Sequence, residues 1–187
     1  MYTLAVIVPS LRKNSLNRKL AEALEMLCRE QFHFNFVNLH DIPFFNEDLE
    51  NDLPASVTAM KKSVTDADGV LIVTPEYNRS FPAVLKNALD WGSRPYGKGV
   101  WTGKCVASLG MSPGAVGTAV CQAHLRSVLG FLGFVQMTRP EIYLQYTQDF
   151  FAQDGGIGTE RTRSYLAAFL KEFHAWISKN KHAQGNA

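Results

Sequence analysis

The chain has 187 residues, 46% of them apolar, and 19 basic against 17 acidic side chains leave a formal net charge of +2. That length suits one domain with a sizeable core, and the near-neutral balance argues against a nucleic-acid or anionic-membrane partner while leaving room for a small anionic ligand. No apolar run reaches membrane-spanning length and the first residues lack the basic-then-apolar order of a secretory leader, so a cytoplasmic protein is expected.

Residues 4–8 (LAVIV) read as a first buried strand. A loop rich in hydroxyl and amide groups follows (PSLRKNS, residues 9–15), and Leu16, Leu20, Ala23, Leu24 and Leu27 then trace one face of a helix. The N–H groups at such a helix start have no partners within the helix, and Ser10, Arg12, Ser15 and Asn17 beside them form a candidate phosphate cradle. An equally open reading makes Asn14 or Ser15 a helix cap and leaves Arg12 and Lys13 solvated. The loop carries neither a GxGxxG fingerprint nor a Walker A lysine.

Residues 34–39 (FNFVNL) alternate as a strand nearer the sheet edge, residues 41–54 read as a surface loop, and Val57, Met60 and Val64 mark a short helix. Residues 69–73 (GVLIV) form a third strand, followed by a seven-residue loop and a helix beginning at Pro82 with Val84, Leu85, Ala88 and Leu89 at helical spacing. A fourth strand at 105–109 (CVASL) runs into GMSPGAVG, residues 110–117, whose glycines let backbone approach a ligand or simply build a tight turn. Cys121, Leu125, Val128, Leu129 and Leu132 give the next helix, which Gly133 terminates. Residues 134–137 supply a fifth strand. Tyr165 to Ile177 are expected to form a last amphipathic helix, with residues 179–187 fraying.

Strand and helix alternate throughout, which predicts an α/β doubly wound sandwich of three layers around a five-stranded parallel sheet of order 2-1-3-4-5. That order sets the ends of strands one, three and four side by side, so the three unusual loops share one cleft. Cys28, Cys105 and Cys121 lie far apart and are expected to be small buried apolar residues; the five histidines form no ligand cluster, so no structural metal is expected.

The combination of Ser10-Leu11-Arg12-Lys13-x-Ser15-x-Asn17, Pro75-Glu76-Tyr77-Asn78-x-Ser80, Leu85-Lys86-Asn87-Ala88-x-Asp90-Trp91 and Ser112-Pro113-Gly114 resembles the NAD(P)H-dependent FMN reductase family. Cys121-Gln122-x-His124-Leu125-Arg126 and Arg139-Pro140-Glu141 resemble its quinone and chromate reductase branch. The resemblance implies a flavodoxin-like fold with non-covalent FMN, NADH or NADPH as donor, and two-step hydride transfer to quinones, with chromate, azo and nitro compounds as further acceptors. By position, Ser10, Arg12, Ser15, Leu16 and Asn17 would hold the phosphate, Pro75, Glu76, Tyr77 and Asn78 would line the flavin ring, and Ser112 and Gly114 would lie near the ribityl chain or ring edge. Pro9 and Thr118 stand where the family usually has glycine.

No nucleophile or catalytic dyad is required, because the flavin carries the reaction. Glu76 is expected to make a structural or subunit contact. Arg79 is a candidate for the extra phosphate of NADPH and Tyr77 for ring shielding or a dimer contact. The resemblance also implies a homodimer or homotetramer, with Arg126 and Glu141 pairing across subunits. A flavodoxin-like electron carrier and a redox-responsive FMN-binding protein are the competing readings, but such carriers are usually strongly acidic and this chain is not.

Overall fold

The structure, a computed structural model, describes residues 1–184. In chain order the elements are β1 (Tyr2–Ile7), α1 (Leu16–Cys28), β2 (Phe32–Phe36), α2 (Ala55–Asp66), β3 (Gly69–Val73), α3 (Ala83–Gly92), β4 (Cys105–Ser112), α4 (Ala119–Phe131), β5 (Val135–Gln136), β6 (Ile142–Gln145) and α5 (Glu160–Gln184). The strands are parallel and ordered β2-β1-β3-β4-β5, with β6 also paired to β4.

The two-residue period of the strands divides the core. Leu4, Val6, Leu71, Val73, Ala107 and Leu109 belong to the apolar cluster that includes Leu20 and Leu24 of α1 and Leu166, Phe169, Leu170, Phe173 and Ile177 of α5. Ala5, Ile7, Val70, Ile72 and Val106 belong to the other cluster, with α2, α3 and α4. Both faces are covered, which is why the strand sequences read as unbroken apolar runs. No helix among the described residues is long and apolar enough to cross a membrane.

The fifth position of the sheet differs from expectation. β5 pairs only with Cys105 and Val106, while β6 continues the same edge beside Leu109 to Ser112. Pro140, which has no N–H to give a ladder, lies in the stretch between the two short strands. Six strands therefore occupy five positions. β2 starts two residues earlier than its alternation suggested, because pairing with β1 begins at Tyr2 and Phe32. Gly133 does end α4: at φ +76° it donates its N–H to the Gly130 carbonyl.

The LKNALDW segment serves the fold. Asn87 accepts the Phe45 N–H at 2.8 Å, and Asn87 Nδ2 and Trp91 Nε1 both donate to the Pro43 carbonyl at 2.8 Å, which fastens the long 37–54 connection onto α3.

The last helix runs through Gln184 where fraying from residue 179 was expected; residues 185–187 of that expectation lie outside the described residues. Lys181 bonds to the Asp68 carboxylate, whose other oxygen accepts the Thr3 N–H at 2.7 Å, so α5 is tied to the start of the sheet. Partial burial opposes ionisation of Asp68, but the hydrogen bonds from Lys181 and Thr3, and the charges of Lys181 and Lys104, hold its carboxyl below the usual value. A depressed carboxyl contributes stability above its unfolded pKa and loses it as pH falls through the folded one. Asp68→Asn is therefore expected to shrink the drop in Tm between about pH 6 and about pH 3, measured by thermal unfolding of both proteins.

Candidate flavin-binding site

β1, β3 and β4 are neighbours in register, Ile7 beside Ile72 and Val73 beside Leu109, so the segments that leave them emerge along one edge of the sheet. Each segment offers backbone N–H groups, and the chain folds so as to leave them unpaired.

In the first segment Pro9 is buried and Ser10 donates its N–H back to Val8 at 2.8 Å. Ser15 caps α1: its hydroxyl accepts the Arg18 N–H at 3.2 Å and its carbonyl the Lys19 N–H at 3.1 Å. The N–H groups of Leu11, Arg12, Lys13, Asn14, Leu16 and Asn17 make no hydrogen bond with any described residue. The exposed side chains of Arg12 and Lys13 have no ion-pair partner among the described residues. Unpaired donors at a helix N-terminus beside two free cations suit a phosphate dianion. Asn17 departs from the expected role. Its side chain is 2% exposed, with Oδ1 accepting the Met111 N–H and Nδ2 donating to the Met111 carbonyl, both at 2.9 Å. It ties the first segment to β4, and only its own N–H remains for a ligand.

The second segment contains a two-residue hairpin that its sequence did not announce. Tyr77 and Ser80 exchange two backbone bonds, at 2.8 and 2.9 Å, around Asn78 and Arg79 at φ +50° and +66°. This is the type I′ pattern, for which asparagine is a familiar first residue but arginine an unusual second. The Asn78 and Arg79 N–H groups stay unpaired. Two contacts pin the hairpin to α4: Glu76 accepts the Cys121 N–H at 2.9 Å, and Ser80 Oγ lies 2.9 Å from His124 Nδ1. Sequence reasoning gave His124 no role at the site, although its position three residues after Cys121 puts both on one helix face.

The Glu76 carboxylate, 9% exposed, thus sits at the start of α4, where the helix dipole favours a negative group, and is engaged in structure. Its backbone can still border a ligand. Arg79 reaches the same carboxylate at 3.5 Å and is largely exposed; Tyr77 is half exposed. Glu76→Ala is expected to lower stability by about 1–3 kcal/mol, because the Cys121 N–H is left without an acceptor. Urea unfolding checks this, and a loss below about 0.5 kcal/mol would show that the carboxylate does not hold the hairpin.

The third segment begins at Ser112, whose hydroxyl donates to the Gly117 carbonyl at 2.5 Å and lies 3.3 Å from that of Gly114. The N–H groups of Gly114, Ala115 and Val116 are unpaired. Thr118 is fully buried, with its hydroxyl accepting a bond from Gln122 Nε2 at 2.8 Å, so the residue that stands where the family has glycine anchors the start of α4.

No group among the described residues could hold a metal ion. The cysteines are buried, and burial pushes the thiols up to about 12 for Cys28 and about 11 for Cys105 and Cys121, so none offers a thiolate. Arg126 and Glu141, expected to pair across subunits, pair within the chain at 2.7 Å, because β6 brings Glu141 beside α4. The donor set, a phosphate cradle on one segment and N–H donors without a described partner on the two beside it, fits a phosphorylated ligand with a flat, carbonyl-edged ring.

Comparison with known proteins is consistent with that fit. The family profile described as NADPH-dependent FMN reductase matches residues 2–149. A 2-hydroxy-1,4-benzoquinone reductase from a Burkholderia species is 48% identical over 93% of this chain and 95% of its own length. A quinone reductase from Pseudomonas putida is 42% identical over 97% of both chains. Among solved structures, FerB, a flavoenzyme NAD(P)H:(acceptor) oxidoreductase from Paracoccus denitrificans, superposes with a TM-score of 0.94 at 43% identity, covering 96% of this chain and 99% of that one.

Proposed function

The chain belongs to the NADPH-dependent FMN reductase family, and from that premise we propose that it is an FMN-dependent NAD(P)H oxidoreductase whose acceptors are quinones. The observation that carries this reading is the set of unpaired N–H groups on three segments at one sheet edge, next to two unpaired cations.

FMN, when bound, would supply the hydride chemistry that links a reduced nicotinamide to a quinone. The protein's part is placement and electrostatics. The Leu11–Asn17 N–H groups and the Ser10 and Ser15 hydroxyls hold the phosphate, and Arg12 adds a charge-assisted contact of about 1.5–3 kcal/mol. Pro75 and the Glu76 backbone border the ring. The Asn78 and Arg79 N–H groups, with those of the Gly114 loop, would be the donors for the ring edge and would stabilise negative charge there. Because the hairpin is pinned at Glu76 and Ser80, these donors are in place before the substrate arrives. Tyr77 and Arg79 flank the open face on which nicotinamide and quinone dock in turn. With few specific contacts on that face, chromate, azo dyes and nitro compounds are further acceptors of the same site.

The chain works as one domain in the cytoplasm, where reduced nicotinamides are supplied. It also self-associates as a dimer or tetramer, in keeping with the exposure of Tyr96 at 93% and Phe131 at 90%. Light scattering that gives only the 20.8 kDa monomer would remove self-association from the proposal. The catalytic reading is tested by adding NADPH to the FMN-loaded protein without oxygen. Rapid bleaching of the flavin band, restored by a benzoquinone, is expected; a flavin that stays oxidised would overturn it.

A further inference from the structure

We propose that a cavity of about 480 Å³ between the ends of β1 and β2 receives the 2′-phosphorylated adenosine end of NADPH, an assignment that rests on the reading above. Arg12, Lys13, Arg18 and His40 line it, and no carboxylate does. Glu22 takes Arg18 Nε at 2.7 Å, and Asp41 is engaged by Asn38 Nδ2 at 3.1 Å. Among the described residues the two terminal nitrogens of Arg18 have no partner, and its guanidinium lies 3.8 Å from the centre of the Phe36 ring. Cations of this kind hold a phosphate. The remaining walls include the half-buried Val8 and Phe36, apolar surface that an inorganic anion would not use and an adenine would.

The position agrees with that occupant. The Ser10–Lys13 segment is a wall of this cavity and also carries N–H groups of the phosphate cradle, so the two sites share one loop. Strands are about 4.8 Å apart, so β3, which leads into the hairpin, lies roughly 10 Å from β2 across β1. An extended dinucleotide spans that distance. Its pyrophosphate then passes over the Arg12 loop, while Arg18 takes the 2′-phosphate that NADH lacks. Arg79, the candidate from sequence for this task, offers one guanidinium that already leans on Glu76.

The test is calorimetry on the FMN-loaded protein with adenosine 2′,5′-bisphosphate and with 5′-AMP. The bisphosphate should bind about tenfold or more tightly than AMP, and an Arg18→Met variant should remove most of that difference with the FMN affinity unchanged. The NADPH over NADH preference in kcat/KM should fall by a similar factor. Equal binding of the two nucleotides, an unaltered bisphosphate affinity in Arg18→Met, or loss of the preference in Arg79→Ala alone would overturn the assignment. A protein that binds FMN but not the bisphosphate defeats this inference alone, whereas one that fails to bind FMN defeats the flavin reading as well.

Discussion

Asn17→Ala is expected to lower stability by about 2–4 kcal/mol and to weaken FMN binding by at least about a hundredfold. The side chain is a two-way clasp: it accepts the Met111 N–H and donates to the Met111 carbonyl, both at 2.9 Å and both shut off from water. Alanine strands one buried donor and one buried acceptor, each at about 1–3 kcal/mol. The effect on the ligand follows from location. Asn17 lies in the first turn of α1 and Met111 is the penultimate residue of β4, so the clasp sets the distance between the phosphate cradle and the N–H donors of the Gly114 loop. Asn17→Asp preserves shape but replaces the Nδ2 donor by a second acceptor opposite the Met111 carbonyl, and should be at least as damaging. Urea unfolding of the apoprotein and a fluorescence titration with FMN read the two effects separately. If either variant binds FMN as tightly as the parent, the clasp does not position the site.

Gly110→Ala is expected to be still more severe for folding, by more than about 3 kcal/mol. A Cβ at this position would stand 2.0 Å from the Thr74 carbonyl oxygen and 2.6 Å from Thr118 Oγ1. The threonine hydroxyl can turn away; the carbonyl belongs to the backbone where β3 leaves the sheet and cannot. Relief requires the ends of β3 and β4 to separate, although Thr74 donates its N–H to Leu109 at 2.9 Å there. Gly114→Ala is the control, since its added Cβ meets nothing closer than Ser112 Oγ at 3.8 Å. The control should fold with stability within about 0.5 kcal/mol of the parent. Soluble, cooperatively unfolding Gly110→Ala of parental stability would show that the sheet edge is slacker than drawn.

Much of the sheet was legible because its strands are buried on both faces and therefore read as short apolar runs between loops; 69–73 is recovered to the residue. The order β2-β1-β3-β4-β5 followed from the alternation together with the strand order general to five-stranded doubly wound sheets, and with it the placing of three segments at one edge. What escaped the sequence has a physical reason in each case. β6 is four residues long and follows a stretch broken by Pro140, so it carries too little periodicity to separate from a loop. The hairpin at 77–80 depends on Arg79 at positive φ, a conformation its residue type does not advertise. Asn17 looks the same in the sequence whether it points at a phosphate or at a strand 94 residues away. The Arg126 and Glu141 pair is within the chain because β6, itself unseen, delivers Glu141. The end of α5 persists past residue 179 because Lys181 reaches Asp68, a contact that local propensity does not encode.

A crystal structure of the protein with FMN tests the central claim most directly. The flavin phosphate is expected within hydrogen-bond distance of the N–H groups between Leu11 and Asn17, with the ring against the Tyr77–Ser80 hairpin and the Gly114 loop. A flavin seated elsewhere, for example in the cavity of about 970 Å³ beside Tyr96, Trp101 and Phe131 on the far side of α3 and α4, would contradict it.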